Sequence, residues 1–333
     1  GKTTTVAKLF GSRFNYVTLD DADELAMALN APRQFIHLHP WPLIIDEVQK
    51  APNLLSWIKM AVDEQRLSWL NENKPRQLMF VLTGSNQFAL QEGVSESLAG
   101  RTAVVNLSSM TQMEKMGLHG SLFVPDIAEL VKKQAQQKIN AAGREEIFHR
   151  IFIGGMPDVV TGVSEPGSYF KAYVDTYIEK DVRKLINADK ELQFRTFLTI
   201  VALRSGQELN YGSIAGDVGI NVETCKRWIS ILETSGIIIL LQPYMANISK
   251  RVIKAPKLFF MDTGLCSYLC KFHSREMLQD SYLSGAFFET YVVSEIIKSF
   301  YNNNVEPKDF LYYYRDIDRK EIDLLYVDNN GVV

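Results

Sequence analysis

The first third of the chain alternates apolar, strand-like runs with helical segments, and this alternation limits the fold more than any other feature. Between Gly1 and about Leu107 the strand-like runs are YVTLD, PLIIDEVQ, QLMFVLTGS and TAVVNL. Near-continuous apolar strands with helices between them are typical of a parallel sheet that is covered on both faces. The sequence therefore predicts an α/β domain over residues 1–107.

The rest of the chain divides into three segments. Residues 108–204 have helical spacing with charged faces and no strand-like run, which predicts a helical lid or connector. Residues 205–255 contain two short helical runs around a Gly-containing turn, followed by a β-branched strand pair, which is the pattern of a winged helix. Residues 256–333 predict a further α/β domain with a strong amphipathic helix, two strands and a final hairpin turn at DNNG.

Composition limits the functional class only loosely. A chain of 333 residues exceeds one ordinary core, and its net charge of -3 gives no general attraction to nucleic acid. The three cysteines, Cys225, Cys266 and Cys270, lack a second pair for a zinc site, so we expect reduced, structural thiols. The apolar runs are too short to span a bilayer and no signal pattern is visible, so we expect a cytoplasmic protein with no membrane partner.

A phosphate-binding pattern opens the chain. Gly1, Lys2, Thr3 and Thr4, followed by the helical run VAKLF, match the second half of a P-loop, whose backbone amides cradle phosphates. In that geometry Lys2 reaches the outer phosphates and the Thr3 hydroxyl binds Mg²⁺. The pattern is short, so an ordinary helix start is an equal alternative.

A second polar group follows the apolar strand PLII. Asp46 and Glu47 end this strand, and carboxylates at the carboxyl edge of a sheet need a cation nearby. Asp46 would hold Mg²⁺ through its water shell, and Glu47 would act as general base for the attacking water. The alternative is a solvated pair that caps the next helix.

The strand QLMFVLT also ends in small polar residues. Ser85 or Asn86 would hydrogen-bond the γ-phosphate or the attacking water. A turn built by Gly84, Ser85 and Asn86 explains the same residues, and both interpretations can hold together.

Taken together, these residues resemble the AAA-type P-loop ATPases that carry a C-terminal domain of unknown function, a widespread prokaryotic family. The resemblance rests on GKTT, LIIDEVQKAP, LTGSN, VSESLAGR, FFMDTGL, FFETYVVSE and EIDLL, which span nearly the whole chain. It implies an AAA-type parallel sheet, ATP and Mg²⁺ as cofactors, and ATP hydrolysis coupled to a DNA or protein partner. Assembly with further copies of the chain is also compatible with it.

The resemblance also assigns a role to Arg101. In the family the SLAGR segment supplies a basic residue, and Arg101 at this position would act as an arginine finger or sensor. An Arg that ties the loop to an acidic neighbour such as Glu96 is the alternative. Because the family's phosphate loop begins several residues before the GK pair, we expect the first domain to be truncated.

The last segment looks like the opening of the PD-(D/E)xK nuclease fold, in which a helix Glu and a strand Asp approach a divalent metal. Glu295 and Asp323 match these positions, with Glu289 and Glu321 as secondary candidates. Helical spacing turns Glu295 inward, and an inward carboxylate needs a metal or a Lys as partner. The strand with the remaining ExK pair would follow Val333, so we expect a truncated domain; a degenerate scaffold is the alternative.

The winged-helix segment predicts a DNA contact. Asn221 would cap the recognition helix, and Trp228 would lie in the core. The candidate phosphate contacts are the exposed basic residues of this helix and of the stretch NISKRVIKAPK, namely Lys226, Arg227, Lys250, Arg251, Lys254 and Lys257. A role in protein contacts, or as a lid element, explains the module equally well.

Three functions therefore follow from the sequence. The first is Mg²⁺-dependent ATP hydrolysis carried by Lys2, Thr3, Asp46 and Glu47. The second is a nucleotide-gated DNA-binding or interaction module with negligible turnover. The third is a metal-dependent nuclease in a longer chain that includes residues after Val333.

Overall fold

A computed structural model describes residues 2–84, 97–137, 142–177, 190–244, 255–316, 318, 320–328 and 331–333. The chain divides into two compact units, Gly1–Val104 and Val105–Val333. Each unit has its own hydrophobic core. The predicted residues Gly1, Ser85, Asn86, Glu96, Lys250, Arg251 and Lys254 lie outside the described part.

The first unit is built on a parallel sheet of three strands in the order β1-β2-β3. These strands are β1 (Asn15–Thr18), β2 (Leu43–Asp46) and β3 (Phe80–Leu82). The register pairs Thr18 with Asp46. The central strand β2 is buried along its whole length, which explains why its sequence is apolar up to Asp46.

Four α-helices accompany this sheet among the described residues. They are α1 (Lys2–Phe10), α2 (Ala22–Asn30), α3 (Pro32–Leu38) and α4 (Leu54–Asn71). The carboxylate of Asp21 caps α2 by accepting hydrogen bonds from the backbone N–H groups of Asp23 and Glu24. Pro32 begins α3, where its missing N–H costs nothing.

The two faces of the sheet have different neighbours. Val17, Leu43 and Ile45 belong to the hydrophobic core that includes residues of α3 and α4. Side chains alternate along a strand, so Tyr16, Ile44 and Asp46 point to the opposite face. Thr3 of α1 hydrogen-bonds Asp46 on that face.

The predicted fourth strand, TAVVNL, is wrong. The structure assigns no strand to residues 102–107, and Val104, Val105 and Leu107 are 55%, 70% and 47% exposed. A strand needs a neighbouring strand for its backbone groups, and none of the described strands pairs with this run. Its β-branched composition therefore reflects local preference alone.

The second unit begins with helices, and the described residues between 108 and 204 contain no strand. In the part of this unit that the structure describes, the α-helices are α5 (Gln112–Lys115), α6 (Ile127–Gln137), α7 (Arg144–Ile153), α8 (Pro157–Val160), α9 (Pro166–Tyr177), α10 (Glu191–Ala202), α11 (Tyr211–Val218), α12 (Val222–Thr234), α13 (Thr263–Leu269), α14 (Arg275–Gln279) and α15 (Ser284–Asn302). Phe148, Trp228 and Phe260 belong to one core. The three predicted segments after residue 107 therefore pack together, and a division of function among them stays a prediction.

Two antiparallel sheets complete the second unit. The first has the order β4-β6-β5, with β4 (Gln207–Glu208), β5 (Ile238–Leu241) and β6 (Lys257–Phe260), and the second has the order β7-β8-β9, with β7 (Leu311–Arg315), β8 (Glu321–Asp328) and β9 (Gly331–Val332). β8 and β9 pair antiparallel on either side of the predicted DNNG turn, whose two central residues lie outside the described part. The Tyr244 N–H donates to the carbonyl of Tyr313 over 2.6 Å and so links the two sheets.

The helix-turn-helix pattern appears as α11 and α12. Gly219 ends α11 in the left-handed region, with φ of 76°. As predicted, Asn221 caps α12: its side chain accepts a hydrogen bond of 2.7 Å from the Thr224 N–H. Trp228 is fully buried, with its ring 5.1 Å from that of Phe194, so its predicted core position is confirmed. The assignment as a winged helix stays a prediction.

The cysteines agree with their predicted structural role. Cys225, Cys266 and Cys270 are free thiols, and the first two are buried. Burial raises the pKa of Cys225 to about 11. Among the described residues, no helix combines the length and the apolar character needed to cross a membrane.

Candidate functional site

The beginning of α1 lies against the carboxyl edge of the parallel sheet. The ammonium of Lys2 donates a hydrogen bond of 2.7 Å to the carbonyl of Gly84, just after β3. The hydroxyl of Thr3 donates to Asp46 Oδ2 over 3.0 Å, at the end of β2. Residues that are about 40 to 80 positions apart in the sequence thus meet, because α1 delivers consecutive side chains to two neighbouring strand ends.

Asp46 is the centre of this group. It is 7% exposed, and it accepts hydrogen bonds from the hydroxyls of Thr3 and Tyr16 at Oδ2, over 3.0 Å and 2.9 Å, and from that of Thr83 at Oδ1. Burial acts to raise the pKa of Asp46, but these three hydrogen bonds and one from the Glu47 N–H outweigh it and hold the pKa below its ordinary value. Asp46 is therefore a buried, ionised carboxylate at neutral pH.

Two of these donors were not identified from the sequence. Tyr16 lies on β1 and reads as an ordinary strand residue, because aromatic residues are common in strands. Thr83 directly follows the last residue of β3 and is part of the same polar strand end. The alternation of side chains in YVTLD, which places Tyr16 opposite to the core residue Val17, is the signal that could have found Tyr16.

Glu47 adopts an unusual backbone conformation for a residue other than glycine. Its φ of 57° and ψ of 38° place it in the left-handed region, where a side chain costs about 1 kcal/mol or more. The Val48 N–H donates to the carbonyl of Thr83 over 3.0 Å and holds the turn against β3. The Glu47 carboxylate accepts a hydrogen bond from the side chain of Gln49.

Thr4 and Arg101, the other candidates for this site, are not among the residues whose side chains hydrogen-bond Asp46. Thr4 is exposed on α1. Arg101 donates from Nε to Asp63 Oδ1 over 2.7 Å and from a terminal nitrogen to the carbonyl of Ala99 over 3.0 Å. Arg101 thus ties its segment to an acidic residue of α4, and its role as an arginine finger stays a prediction.

The donor set at the strand edge fits a magnesium ion. A threonine hydroxyl and an ionised carboxylate are hard oxygen ligands of the kind that Mg²⁺ prefers. The two lie in direct hydrogen-bond contact, and an ammonium side chain is held at the neighbouring strand end. Thr3 and Asp46 would hold the ion directly or through its waters.

The predicted DNA contacts are only partly described. Lys226 and Arg227 are exposed on α12, as predicted, and Lys226 forms an ion pair of 2.8 Å with Glu223. Lys250, Arg251 and Lys254 lie outside the described residues.

Lys257 does not serve as a phosphate contact, and its place among the basic surface residues is wrong. It is 3% exposed, and its ammonium lies 2.9 Å from Glu289 and 3.2 Å from Asp323, and also contacts Glu321. Burial acts to lower the pKa of Lys257, but the hydrogen bonds that its ammonium donates to these carboxylates outweigh it and raise the pKa. Lys257 is therefore a buried cation enclosed by acidic side chains.

Glu295 and Asp323, the candidates for a metal site, have separate partners. Glu295 accepts a hydrogen bond of 2.7 Å from the Gln112 N–H and another of 3.2 Å from Lys298, whereas Asp323 contacts Lys257. Within the described part of the chain, no group of three or more His, Cys, Asp or Glu side chains could hold a metal ion. Each carboxylate thus pairs with a lysine, which is the alternative to a metal that the sequence left open: Glu295 with Lys298 and Asp323 with Lys257. A nuclease activity of a longer chain stays a prediction.

Three family profiles match successive parts of the chain. Residues 1–116 match the AAA domain, residues 144–276 match a domain of unknown function (DUF8612), and residues 284–333 match a second domain of unknown function (DUF4143). The matched AAA region contains Lys2, Thr3 and Asp46.

The chain also resembles proteins of distant organisms. Uncharacterized proteins of Mycobacterium tuberculosis and Mycobacterium bovis are each 26% identical to it over 98% of this chain and 65% of their own length. An uncharacterized protein of Methanocaldococcus jannaschii is 23% identical over 92% of this chain and 68% of its own length. The chain thus spans slightly less than two thirds of the mycobacterial relatives. No solved structure matches it. The AAA and DUF4143 matches together support an AAA-type ATPase-like family.

Proposed function

We propose that the protein binds ATP with Mg²⁺ at the carboxyl edge of the parallel sheet and hydrolyses it. The observation that carries the proposal is the contact between Thr3 and the buried, ionised Asp46, with Lys2 at the next strand end. An ammonium and a hydroxyl from consecutive residues at the start of α1, next to a carboxylate at the end of β2, are the groups that a nucleoside triphosphate with its metal requires. The AAA match over residues 1–116 supports the same proposal.

Each residue has a distinct role in the proposed reaction. Lys2 binds phosphate oxygens in place of the Gly84 carbonyl, and Thr3 and Asp46 hold the metal position. When bound, Mg²⁺ would neutralise charge that develops on the phosphates. Glu47 accepts a proton from the attacking water, for which its carboxylate must leave the side chain of Gln49.

The test is the rate of phosphate release by the purified protein with ATP and Mg²⁺. Glu47→Gln should lower the turnover by roughly 100-fold or more, since general base catalysis contributes about 10²–10⁴-fold, and should leave ATP binding intact. Lys2→Ala should weaken ATP binding itself. Glu64→Gln, on the exposed side of α4, is the matched control and should behave like the wild type. Turnover in Glu47→Gln equal to that of the wild type would refute the assignment.

A second proposal is that α12 contacts DNA, so that nucleotide binding gates an interaction with a DNA partner. The exposed positions of Lys226 and Arg227 on a helix that packs through Trp228 support it. Changing Arg227 to Ala should reduce the slope of log affinity against log salt by about 1. Lys171→Ala, another exposed lysine, is the control. If Arg227→Ala leaves the salt slope unchanged, α12 does not contact DNA phosphates through Arg227, and a role of this helix in protein contacts would be favoured.

A further inference from the structure

The Asp46 carboxylate is saturated by donors of the protein itself. A carboxylate offers roughly four lone-pair positions for hydrogen bonds. Oδ2 receives the hydroxyls of Thr3 and Tyr16, and Oδ1 receives that of Thr83. The backbone N–H of Glu47 is the fourth donor. A water molecule of a hydrated metal ion can therefore reach Asp46 only if one of these donors leaves.

The four donors differ in how easily they can leave. Thr83 is 7% exposed. Its N–H donates to the Ile45 carbonyl over 3.0 Å and so continues the backbone hydrogen bonds between β2 and β3. The Glu47 N–H is part of the backbone of the turn. Thr3 is the hydroxyl that the proposed metal position needs. Tyr16, in contrast, is 50% exposed on the outer strand of the three-stranded sheet, and only its hydroxyl tip reaches Asp46.

We propose that Tyr16 is a displaceable donor that holds Asp46 in the metal-free protein and gives up its place when hydrated Mg²⁺ binds. The Tyr16 hydroxyl competes with a metal-bound water for Oδ2, so it raises the metal concentration at which the site fills. The half-exposed ring can turn toward water, where its hydroxyl is solvated again, whereas a buried donor would lose its partner. Tyr16 is thus a positioning residue that makes the nucleotide site sensitive to Mg²⁺. This inference rests on the proposed function.

Binding of Mn²⁺ in the presence of excess ADP, followed by electron paramagnetic resonance, tests the proposal without any catalytic turnover. Tyr16→Phe keeps the ring and removes the competing hydroxyl, so the Mn²⁺ dissociation constant should fall by about threefold to tenfold, the factor that one net hydrogen bond represents. Tyr16→Leu should shift it in the same direction. Tyr282→Phe, at a tyrosine that is 90% exposed in the second unit, should leave it unchanged.

Thermal unfolding supplies a second measurement, in which the expected direction of the change in Tm differs between the metal-free and the metal-bound protein. Because the hydrogen bond exists only in the metal-free state, Tyr16→Phe should lower Tm without metal and match the wild type at saturating Mn²⁺ and ADP. An unchanged or increased Mn²⁺ dissociation constant in both Tyr16 variants, while the wild type binds Mn²⁺, would overturn the role of Tyr16 and leave the proposed function standing. If neither the wild type nor the variants bind Mn²⁺ with ADP or ATP, both proposals fall.

Discussion

Replacing Lys257 by Met tests whether the acidic group of the second unit is built around a buried ammonium. Methionine preserves most of the aliphatic volume of the lysine stem, which packs in the sheet, and removes only the charge. The substitution removes the ammonium that Glu289, Glu321 and Asp323 share. Arg315 remains beside Glu321, with its Nε 3.8 Å from that carboxylate. We therefore expect a large loss of stability.

The structure indicates the size of this loss. The Lys257 side chain is 4% exposed, and Glu289 and Glu321 are 22% and 27% exposed, so the pairs they form are largely screened from water. Breaking a buried pair costs about 3–5 kcal/mol. Asp323 is 62% exposed, so its contribution is small. Partial solvation of the two glutamates places the expected loss near the lower limit, at about 3 kcal/mol.

Urea denaturation at pH 7, with thermal melting as a second readout, measures this loss. For a domain of this size, about 3 kcal/mol corresponds to a decrease in Tm of roughly 6 to 12 °C. Lys308→Met is the matched control, since Lys308 is 42% exposed and its pair with Glu233 lies at the surface; we expect a change of less than about 1 kcal/mol there.

The pH dependence of the stability of Lys257→Met is a second check on this reasoning. Burial already raises the pKa of Glu289, and removing the ammonium raises it further, so the folded variant takes up protons more readily than its unfolded chain. The stability deficit of Lys257→Met should therefore shrink as the pH falls from 7 toward 4.5. A loss below about 1 kcal/mol at pH 7, or a deficit that grows on acidification, would refute the reasoning.

Three further predictions concern the second unit. Burial, followed by the charge of a neighbouring lysine, lowers the pKa of Lys115 to about 8 from an ordinary value of 10.5. Between these two pH values the unfolded chain binds the proton that the folded chain has lost, so the wild type should gain stability relative to Lys115→Met as the pH rises from 8 to 10.5. Urea denaturation measures this gain, and a stability difference between the two proteins that does not change with pH would contradict it. Gly154→Ala should destabilise by roughly 2 to 4 kcal/mol, because φ is +68° and the new Cβ would clash with Asp262 Oδ1 and lie 2.7 Å from the Gly264 nitrogen. Gly216→Ala, in a helix with open space, is the control and should be neutral or stabilising. Asn221→Ala removes the cap of α12 and should cost about 1 kcal/mol by thermal melting, and an unchanged Tm would contradict the contribution of the cap.

The elements with strong local patterns could be predicted from the sequence. The apolar run LIID became the central strand β2, and the amphipathic helix predicted around residues 286–300 lies within α15. The Asn221 cap also appeared as predicted. The run TAVVNL did not become a strand, because a strand depends on a distant partner for its backbone hydrogen bonds, whereas a capped helix satisfies most of them within itself.

Only those residues of the candidate site that belong to a sequence motif could be identified from the sequence. The contact between Thr3 and Asp46 follows from the order of the P-loop fragment and the acidic strand end. Tyr16 donates a further hydrogen bond to Asp46 from the neighbouring strand β1. In the sequence Tyr16 indicates only a residue that favours β-strands, and nothing there points to a role for its hydroxyl. The neighbour across a parallel sheet depends on register, which the pattern of one strand does not contain.

The sequence by itself determined the α/β character of the first unit, the helix-turn-helix pattern, the Asn221 cap and the polar strand ends. These features depend on contacts within a few residues or on the period of apolar side chains. Only the tertiary structure decided the partners of the buried charges. Lys257 looked like one of four basic residues on a surface, yet its partners Glu289 and Asp323 lie 32 and 66 positions away. A cation left among apolar residues costs so much solvation that the folded chain keeps it only where carboxylates converge, and that convergence arises when β6, α15 and β8 pack together.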